Sequence, residues 1–229
     1  MWFDIPKEIS KKNTFLDYFT VSLERKGIKY CVRYLMEKNH SPYTIGHDKY
    51  AMFIKWNGEN NNIVIIVGQN PAACQTINNS RFHPDDTNWN IIKILKKMGY
   101  DGYIMINTFS CIDSNGRAIK SIPPQCRNIS VAKDILEDRQ ISNVKIILAC
   151  SNSNNIAYDF IQFLSKYQNR LYRVEGYTKQ QTTIPIFHFS TQSLNQKSFD
   201  FLGKSKLSQI KNINTKNNNI SNNTCILNI

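Results

Sequence analysis

Short apolar runs alternate with amphipathic stretches over most of the chain. Runs of this length that are rich in Ile and Val and bounded by polar residues predict buried strands. The predicted strands cover residues 50–56, 63–67, 103–109, 144–149, 171–174 and 184–187. The first two are separated by a polar turn that begins at Asn57-Gly58, so they are predicted to pair as a hairpin.

Apolar residues recur at helical spacing between these strands. A helix is predicted to begin at Asp85 or Asp86 and to end at Gly99, a residue type that favours a helix end. Two further helices are predicted over residues 130–138 and 154–167. Strands that alternate with helices predict a three-layer α/β domain with a central, mostly parallel sheet, which we assign to residues 50–202.

The N-terminal part of the chain shows a different pattern. Residues 13–40 are predicted to be helical, because Phe15, Leu16, Phe19 and Leu23 repeat at helical spacing before Gly27. Residues 1–49 are therefore predicted to form an N-terminal helical segment that precedes the α/β domain.

The C-terminal part, residues 203–229, is predicted to be a disordered tail. Residues 211–223 are rich in Asn and Lys and contain few apolar side chains. Such a segment cannot bury enough apolar surface to offset the loss of chain entropy on folding.

The net charge of +12 at pH 7 favours a polyanionic partner, which is nucleic acid or an anionic membrane. A composition rich in Lys and Asn explains part of this excess without any partner. The chain contains no apolar run long enough to span a bilayer, and its N-terminus lacks the basic and apolar regions of a signal peptide. We therefore expect a cytoplasmic protein without a membrane partner. The oligomeric state stays open, with a monomer favoured.

The six cysteines are widely scattered and form no Cys-x-x-Cys pair. In a reducing compartment they are expected to be free thiols. We expect no metal site and no cofactor.

Polar residues directly follow three of the predicted strands. In an open α/β sheet, ligands bind at the carboxyl ends of the strands. Each residue also has a structural explanation, since Asn-Pro is a common turn, a strand-end Asn caps its own loop, and a single His is often structural. Their occurrence together predicts a site formed by Gln69, Asn70, Asn107, His188, Ser190, Thr191 and Ser193.

These strand ends resemble motifs of the uracil-DNA glycosylase superfamily. Gly68-Gln69-Asn70-Pro71 resembles G-Q-D-P-Y-H of the family-one enzymes and G-I-N-P-G of the mismatch-specific enzymes. Ile104-Met105-Ile106-Asn107 resembles their L-L-L-N strand, and His188-Phe189-Ser190-Thr191-Gln192-Ser193 resembles H-P-S-P-L-S. The order and rough spacing of the motifs agree from about Tyr50 to Phe201.

A nearer resemblance is to domain of unknown function family 1643. Its pattern is a strand, N-P-S-T-A, D-x-T before a helix, G-Y, and a strand that ends in V-N-L-F. The corresponding residues here are Asn70-Pro71-Ala72-Ala73, Asp85-Asp86-Thr87, Gly99-Tyr100 and Ile106-Asn107-Thr108-Phe109. This family carries no assured activity, so the expected function comes from the glycosylase superfamily.

The glycosylase resemblance implies hydrolysis of the N-glycosidic bond of a damaged or modified pyrimidine in DNA. Asn70 would hold the attacking water, and a neutral His188 would donate to the charge that develops on the base O2. Asn107 would bind the O4 and N3 edge of the base.

Other residues are expected to hold the base and the phosphates. Phe82 or Phe109 would stack on the base, although a place in the core is the alternative for both. Gln69 would contact the base and, through its backbone amide, the phosphate. The hydroxyls and backbone of Ser190, Thr191 and Ser193 would also bind phosphate.

Two departures from the glycosylase motifs change the expected substrate. Ala72 replaces a tyrosine that excludes 5-methyl groups, so thymine or a larger 5-substituted pyrimidine is expected to fit. Gln192 replaces a leucine wedge, which favours single-stranded, mismatched or modified DNA, or a free nucleotide. A non-catalytic nucleic-acid-binding module on the same fold and an enzyme that acts on free nucleotides are the alternatives.

Overall fold

A computed structural model describes nine stretches of the chain. They cover residues 2–39, 48–56, 62–68, 75–77, 81–83, 86–110, 126–149, 158–174 and 207–209. The strand predicted over residues 184–187 and the tail beyond residue 209 lie outside the described residues.

The described residues form ten strands and four α-helices. The strands are β1 (Leu16–Arg25), β2 (Ile28–Glu37), β3 (Lys49–Lys55), β4 (Ile63–Gly68), β5 (Gln75–Ile77), β6 (Arg81–His83), β7 (Gly102–Asn107), β8 (Ile146–Leu148), β9 (Leu171–Val174) and β10 (Leu207–Gln209). The α-helices are α1 (Ile5–Lys12), α2 (Asp86–Lys97), α3 (Cys126–Leu136) and α4 (Tyr158–Ser165). Two one-turn 3-10 helices cover Trp2–Asp4 and Gln168–Arg170.

Eight strands form one mixed sheet in the order β1-β2-β3-β7-β4-β8-β9-β10. The central strands β7, β4, β8 and β9 are parallel to one another. Strands β1, β2, β3 and β10 join them through antiparallel pairs. The α/β class is confirmed, but the prediction of a mostly parallel sheet is wrong, because antiparallel strands flank the parallel centre on both sides.

The helix predicted over residues 13–40 is wrong. This segment forms the hairpin of β1 and β2, with Arg25 opposite Ile28. The two turn residues, Lys26 and Gly27, have φ values of 51° and 72°, as a two-residue hairpin turn of this hand requires. Because β2 also pairs with β3, the N-terminal segment shares its sheet with the rest of the protein.

Two other predictions from local sequence are corrected. Strands β3 and β4 do not form a hairpin, because β7 lies between them and pairs with both. The tail does not begin at residue 203, because β10 pairs with β9 at the edge of the sheet. The strand and helix predictions around β4, α2 and β7 are confirmed.

Helices supply apolar residues to both faces of the sheet. One core cluster combines Ile65 and Val67 of β4 with buried residues of α1, α3 and α4. The other combines Val64 and Ile66 with buried residues of α2, and we call that side the α2 face. All six residues of β4 are buried, which explains its uninterrupted apolar sequence.

Arg170 joins three backbone segments on one side of the parallel strands. Its buried guanidinium donates hydrogen bonds to the carbonyls of Leu136 at 2.9 Å, Ile141 at 2.8 Å and Val144 at 2.9 Å. The end of α3 and the approach to β8 are thereby fixed against β9.

We expect Arg170→Lys to lower the free energy of unfolding by roughly 1.5–3 kcal/mol, the usual value of a hydrogen bond to a charged group. A lysine keeps the charge but lacks the planar fork that reaches three carbonyls. Urea unfolding of this variant and of Arg139→Lys, an exposed control nearby, measures the effect. Equal stability of the two variants would contradict the assigned role.

Asp4 and Arg33 fasten the N-terminus to the sheet. The Arg33 guanidinium donates to Asp4 Oδ1 at 2.8 Å and to the carbonyl of Phe3, and its hydrogen bond holds the pKa of Asp4 below the ordinary value of 3.8. A lowered pKa means that the ionised form stabilises the folded state. This contribution is present above the ordinary Asp pKa and is lost as pH falls through the folded-state pKa.

We expect Asp4→Asn to lower stability by about 1 kcal/mol or less at neutral pH, because the pair is partly exposed. The difference from the parent protein should shrink as pH falls below the ordinary Asp pKa of 3.8. Urea unfolding across this pH range checks the sign. A difference that grows in acid would show that the carboxylate does not act through this pair.

Candidate functional site

The carboxyl ends of the four parallel strands lie along one edge of the sheet. Gly68 at the end of β4 is in register with Asn107 at the end of β7. Ala149, just after β8, donates its backbone N–H to the carbonyl of Val67 at 2.9 Å. We call this line, from Asn107 and Gly68 to Ala149 and Val174, the carboxyl edge. It is the position at which sheets of this kind bind ligands.

Asn107 has a buried acceptor at this edge. Its side chain is 4% exposed, and its Oδ1 has no hydrogen-bond partner among the described residues. An unpaired buried polar group costs about 1–3 kcal/mol, so such groups are uncommon in folded proteins and need an explanation. A bound ligand that donates a hydrogen bond supplies one.

The carboxamide of Asn107 lies directly against the backbone of Gly68, which has no side chain to separate them. A Cβ atom at position 68 would lie 2.5 Å from Asn107 Oδ1 and 2.7 Å from Met105 Cε. Both distances are shorter than van der Waals contact, so a residue with a side chain here would displace the carboxamide. The glycine is therefore required by close approach of a side chain to the backbone.

Asn128 of α3 holds the backbone at Asn107 in place through hydrogen bonds. This residue is 2% exposed, and its Nδ2 donates to the carbonyl of Asn107 at 2.9 Å and to that of Thr108 at 3.1 Å. The N–H of Thr108 donates to the carbonyl of Gly68 at 3.0 Å. Hydrogen bonds with α3 and with β4 thus fix the position of the end of β7.

The start of β3 is tied to the same edge through Asp48. Its Oδ1 accepts from Ser110 Oγ at 2.9 Å, and its Oδ2 accepts from the hydroxyl of Tyr50 at 3.3 Å. Burial, with the neighbouring Asp48 charge, raises the pKa of Tyr50, so the phenol keeps its proton and remains a donor.

A bulge in β3 brings Lys49 to the α2 face. The register of β2 with β3 shifts between Leu35 and Met36, so Tyr50 and Ala51, though consecutive, both join the cluster on the other face. Lys49 is 6% exposed, and its Nζ lies 5.2 Å from the ring centroid of Tyr34. The sequence gives no local signal for this buried cation or for the role of Asp48.

A family model described as "Protein of unknown function (DUF1643)" matches residues 49–186, more than half of the 229-residue chain. The chain belongs to this family. The predicted resemblance to domain of unknown function family 1643 is thereby confirmed. No curated protein matches the chain.

The part matched by the DUF1643 model contains the centre of the sheet. It begins at the first residue of β3 and includes β4, α2, β7, α3, β8 and β9. Gly68, Asn107 and Asn128 all belong to it. The N-terminal hairpin of β1 and β2, which extends the same sheet, lies outside the matched range.

Three of the predicted site residues fall within the described part of this DUF1643 protein. Asn107 ends β7, as its sequence pattern predicts, and Phe109 is half-buried two residues later. Phe82 lies on β6, which contacts β1, and strands β2 and β3 separate β1 from β7. The contacts that these residues make with a base remain predictions.

The other predicted site residues lie outside the described residues. They are Gln69, Asn70, His188, Ser190, Thr191 and Ser193, together with Ala72 and Gln192. Gly68, the last residue of β4, directly precedes Gln69. Val174 and Leu207, the described residues that flank positions 175–206 in the sequence, pair at the carboxyl edge.

Metal binding and membrane insertion find no support in the described ranges. No three His, Cys, Asp or Glu side chains gather there as a metal would need, and none of the helices formed there has the length and apolarity to cross a bilayer. Cys31 is a free, partly buried thiol.

We expect Gly68→Ala to lower stability by about 1–3 kcal/mol, the usual cost of overpacking. The added methyl collides with Asn107 Oδ1 and with Met105 Cε, so removal of the Asn107 carboxamide should relieve the first of these two collisions. Unfolding of Gly68→Ala, Asn107→Ala and the double variant measures the coupling, which we expect to be about 0.5–3 kcal/mol in favour of the double variant. Strictly additive effects would mean that the two residues do not constrain each other.

Proposed function

We propose that this protein is a DNA N-glycosylase-like enzyme that hydrolyses the N-glycosidic bond of a damaged or modified pyrimidine. The observation that carries the proposal is the buried, unpartnered Oδ1 of Asn107 beside the bare backbone of Gly68. Uracil and thymine present an N3–H donor beside the O4 acceptor. A carboxamide complements this edge, because its oxygen accepts from N3–H and its nitrogen donates to O4. Cytosine has an acceptor at N3 and a donor at N4, the reverse of this edge, so it does not match a carboxamide held in the orientation that faces uracil.

The remaining chemistry is assigned to residues of the strand-end motifs. Asn70 orients a water towards C1′ of an extruded nucleotide, and neutral His188 donates to the charge that develops on O2 of the departing base. Donors of this kind contribute about 2.7–4 kcal/mol when they are aimed at developing charge. Asn70 follows Gly68 by two residues, and His188 lies in sequence between Val174 and Leu207. Gly68, Val174 and Leu207 all belong to the carboxyl edge, which supports this assignment.

The fold assigned to this function is a three-layer arrangement like that of the uracil-DNA glycosylases. Buried residues of the helices pack against both faces of the parallel strands, and this packing supports a three-layer arrangement. The net charge of +12 supports DNA as the partner, because phosphate contacts dominate affinity for nucleic acid. The base must leave its stack to reach a buried acceptor, so single-stranded, mismatched or modified DNA is the favoured substrate.

Release of a free base, followed by mass spectrometry, tests the function. Purified protein is incubated with single- and double-stranded DNA that contains uracil, mismatched thymine or a 5-substituted pyrimidine. We expect Asn107→Ala to lower the rate about 5- to 150-fold, since a bidentate contact to a base edge is worth about 1–3 kcal/mol. Asn70→Ala and His188→Ala should abolish measurable turnover, and Asn70→Ala should leave DNA affinity nearly intact.

Asn143→Ala is the matched control, because this asparagine is exposed at the opposite edge of the sheet. Full activity of Asn107→Ala would refute the site. Binding of DNA that weakens with salt, without base release from any DNA, would replace the proposal with a non-catalytic binding module. Turnover of monomers alone would indicate an enzyme of free nucleotides.

A further inference from the structure

One side of α2 lies against the hairpin of β1 and β2. The ring of Tyr30, near the start of β2, lies 5.3 Å from the ring of Trp89 and 5.7 Å from Lys96 Nζ. Trp89, Lys93 and Lys96 are four and three residues apart, so they share one side of the helix. Lys93, which is exposed, therefore lies between Trp89 and Lys96 in the row that borders the hairpin.

The hairpin presents an exposed aromatic ring on the same face of the sheet. Strand partners share a face, and Tyr34, the partner of Phe19, belongs to the core cluster of the α2 face. Phe19 therefore projects on the α2 face, and so does Val21, which packs against this cluster. Although β6 contacts β1, Phe19 is 42% exposed, the one exposed large hydrophobic residue in the described part of the chain. We call Phe19, Val21, Lys93 and Lys96 the hairpin platform.

The charge around the hairpin platform suits an anionic partner. Helix α2 carries three lysines and has no acidic residue after Asp86. Burial lowers the pKa of Lys96, because its ammonium group is partly removed from water, and a nearby anion would favour the charged form. In the hairpin, whose residues are all described, Asp17 alone among the acidic residues projects on the α2 face. Its Oδ1 accepts from the backbone N–H of Tyr18 at 2.8 Å.

An exposed aromatic ring beside a row of lysines is the combination that binds single-stranded nucleic acid. Bases stack on the ring, whatever their sequence, while cations follow the phosphates. Four residues of β1 separate Phe19 from Leu23, the strand partner of Tyr30. At about 3.3 Å for each strand residue this is roughly 13 Å, the length of about four stacked nucleotides. One strand of nucleic acid is therefore long enough to reach both the ring and the lysines.

We propose that the hairpin platform binds single-stranded DNA, with a base stacked on Phe19 and phosphates in contact with Lys93 and Lys96. The proposal rests on the proposed function for the choice of DNA. It adds a contact surface apart from the Asn107 acceptor, because β2 and β3 separate β1 from β7. Its aromatic ring comes from the N-terminal hairpin, which lies outside the part matched by the DUF1643 model.

Fluorescence anisotropy of a labelled oligo-adenine strand measures this binding without a pyrimidine. The platform variant carries Lys93→Gln and Lys96→Gln. The control carries Lys7→Gln and Lys133→Gln, which remove exposed lysines of α1 and α3 from the other side of the sheet. Both variants lose the same charge, so a difference between them reports position. We expect the plot of log affinity against log salt to become shallower by about 1.4 in the platform variant, at ~0.7 for each phosphate contact, and to keep its slope in the control.

Lys93→Gln alone is a second variant, because Lys96 also contacts Tyr30 and its replacement alters that packing. Lys93 is exposed, so this variant should unfold at the same urea concentration as the parent protein. Its salt slope should be shallower by about 0.7, the value of one phosphate contact to a single strand.

Phe19→Ala tests the stacking contact. It should weaken binding of oligo-adenine about 5- to 150-fold, the range found when one aromatic platform for a base is removed. Phe19→Trp, which keeps an aromatic ring, should bind like the parent protein. An abasic strand of the same length keeps the phosphates and lacks the bases, so Phe19→Ala and the parent protein should bind it equally.

The platform and the glycosylase fail in different ways. The platform would be overturned by equal salt slopes in the platform and control variants, by an equal effect of Phe19→Ala on both strands, or by no binding of single-stranded DNA. Each of these results is compatible with base release. Lysine-dependent slopes and base-dependent loss in Phe19→Ala, in a protein that releases no base from any DNA, would retain the platform and refute the glycosylase.

Discussion

The close approach of the Asn107 carboxamide to the backbone of Gly68 is the constraint on which the site depends. The ends of two adjacent parallel strands are in register there, and no side chain separates them. The approach leaves Oδ1 of Asn107 buried without a partner among the described residues, which opposes folding. The bonds from Asn128 and Thr108, together with the buried strand β4, hold the chain in this arrangement. A hydrogen-bond donor from a ligand would satisfy this acceptor, which is the basis of the proposed role of Asn107.

The mixed sheet explains why so much of the chain meets at this edge. Four parallel strands direct their carboxyl ends to it, and β3, which runs antiparallel to β7, begins there. The chain can therefore bring Asp48 and Lys49 beside the end of β7. The bulge in β3 turns the buried cation to the face that carries Met105 and Asn107. The antiparallel flank thus contributes Asp48 and Lys49 to the carboxyl edge as well as apolar residues to the core.

The sequence predicted the parts of the fold that depend on local pattern. The apolar run of β4 and the amphipathic repeat of α2 each fit one type of element, and Asn107 ends its strand as predicted. The repeat of Phe15, Phe19 and Leu23 fits two types of element, because residues four apart in sequence share one face of a strand as well as one face of a helix. The exposed ring of Phe19 shows that this repeat does not mark a core-facing helix.

Pairing between distant segments was not predictable in the same way. Nothing in the sequence around Asn57 shows that β7 will enter between β3 and β4. The clamp by Asn128 and the tie through Asp48 arise only when segments far apart in sequence come together. The strand-end motifs predict a site at the carboxyl edge. The unpartnered acceptor of Asn107 adds that a ligand there would have to donate a hydrogen bond.

The most direct measurement is a crystal structure of the full chain with uracil bound. We predict the base at the carboxyl edge, with its N3–H donating to Asn107 Oδ1 and its O4 accepting from Asn107 Nδ2. A structure in which another group of the protein satisfies Oδ1, and in which uracil binds elsewhere or not at all, would contradict it.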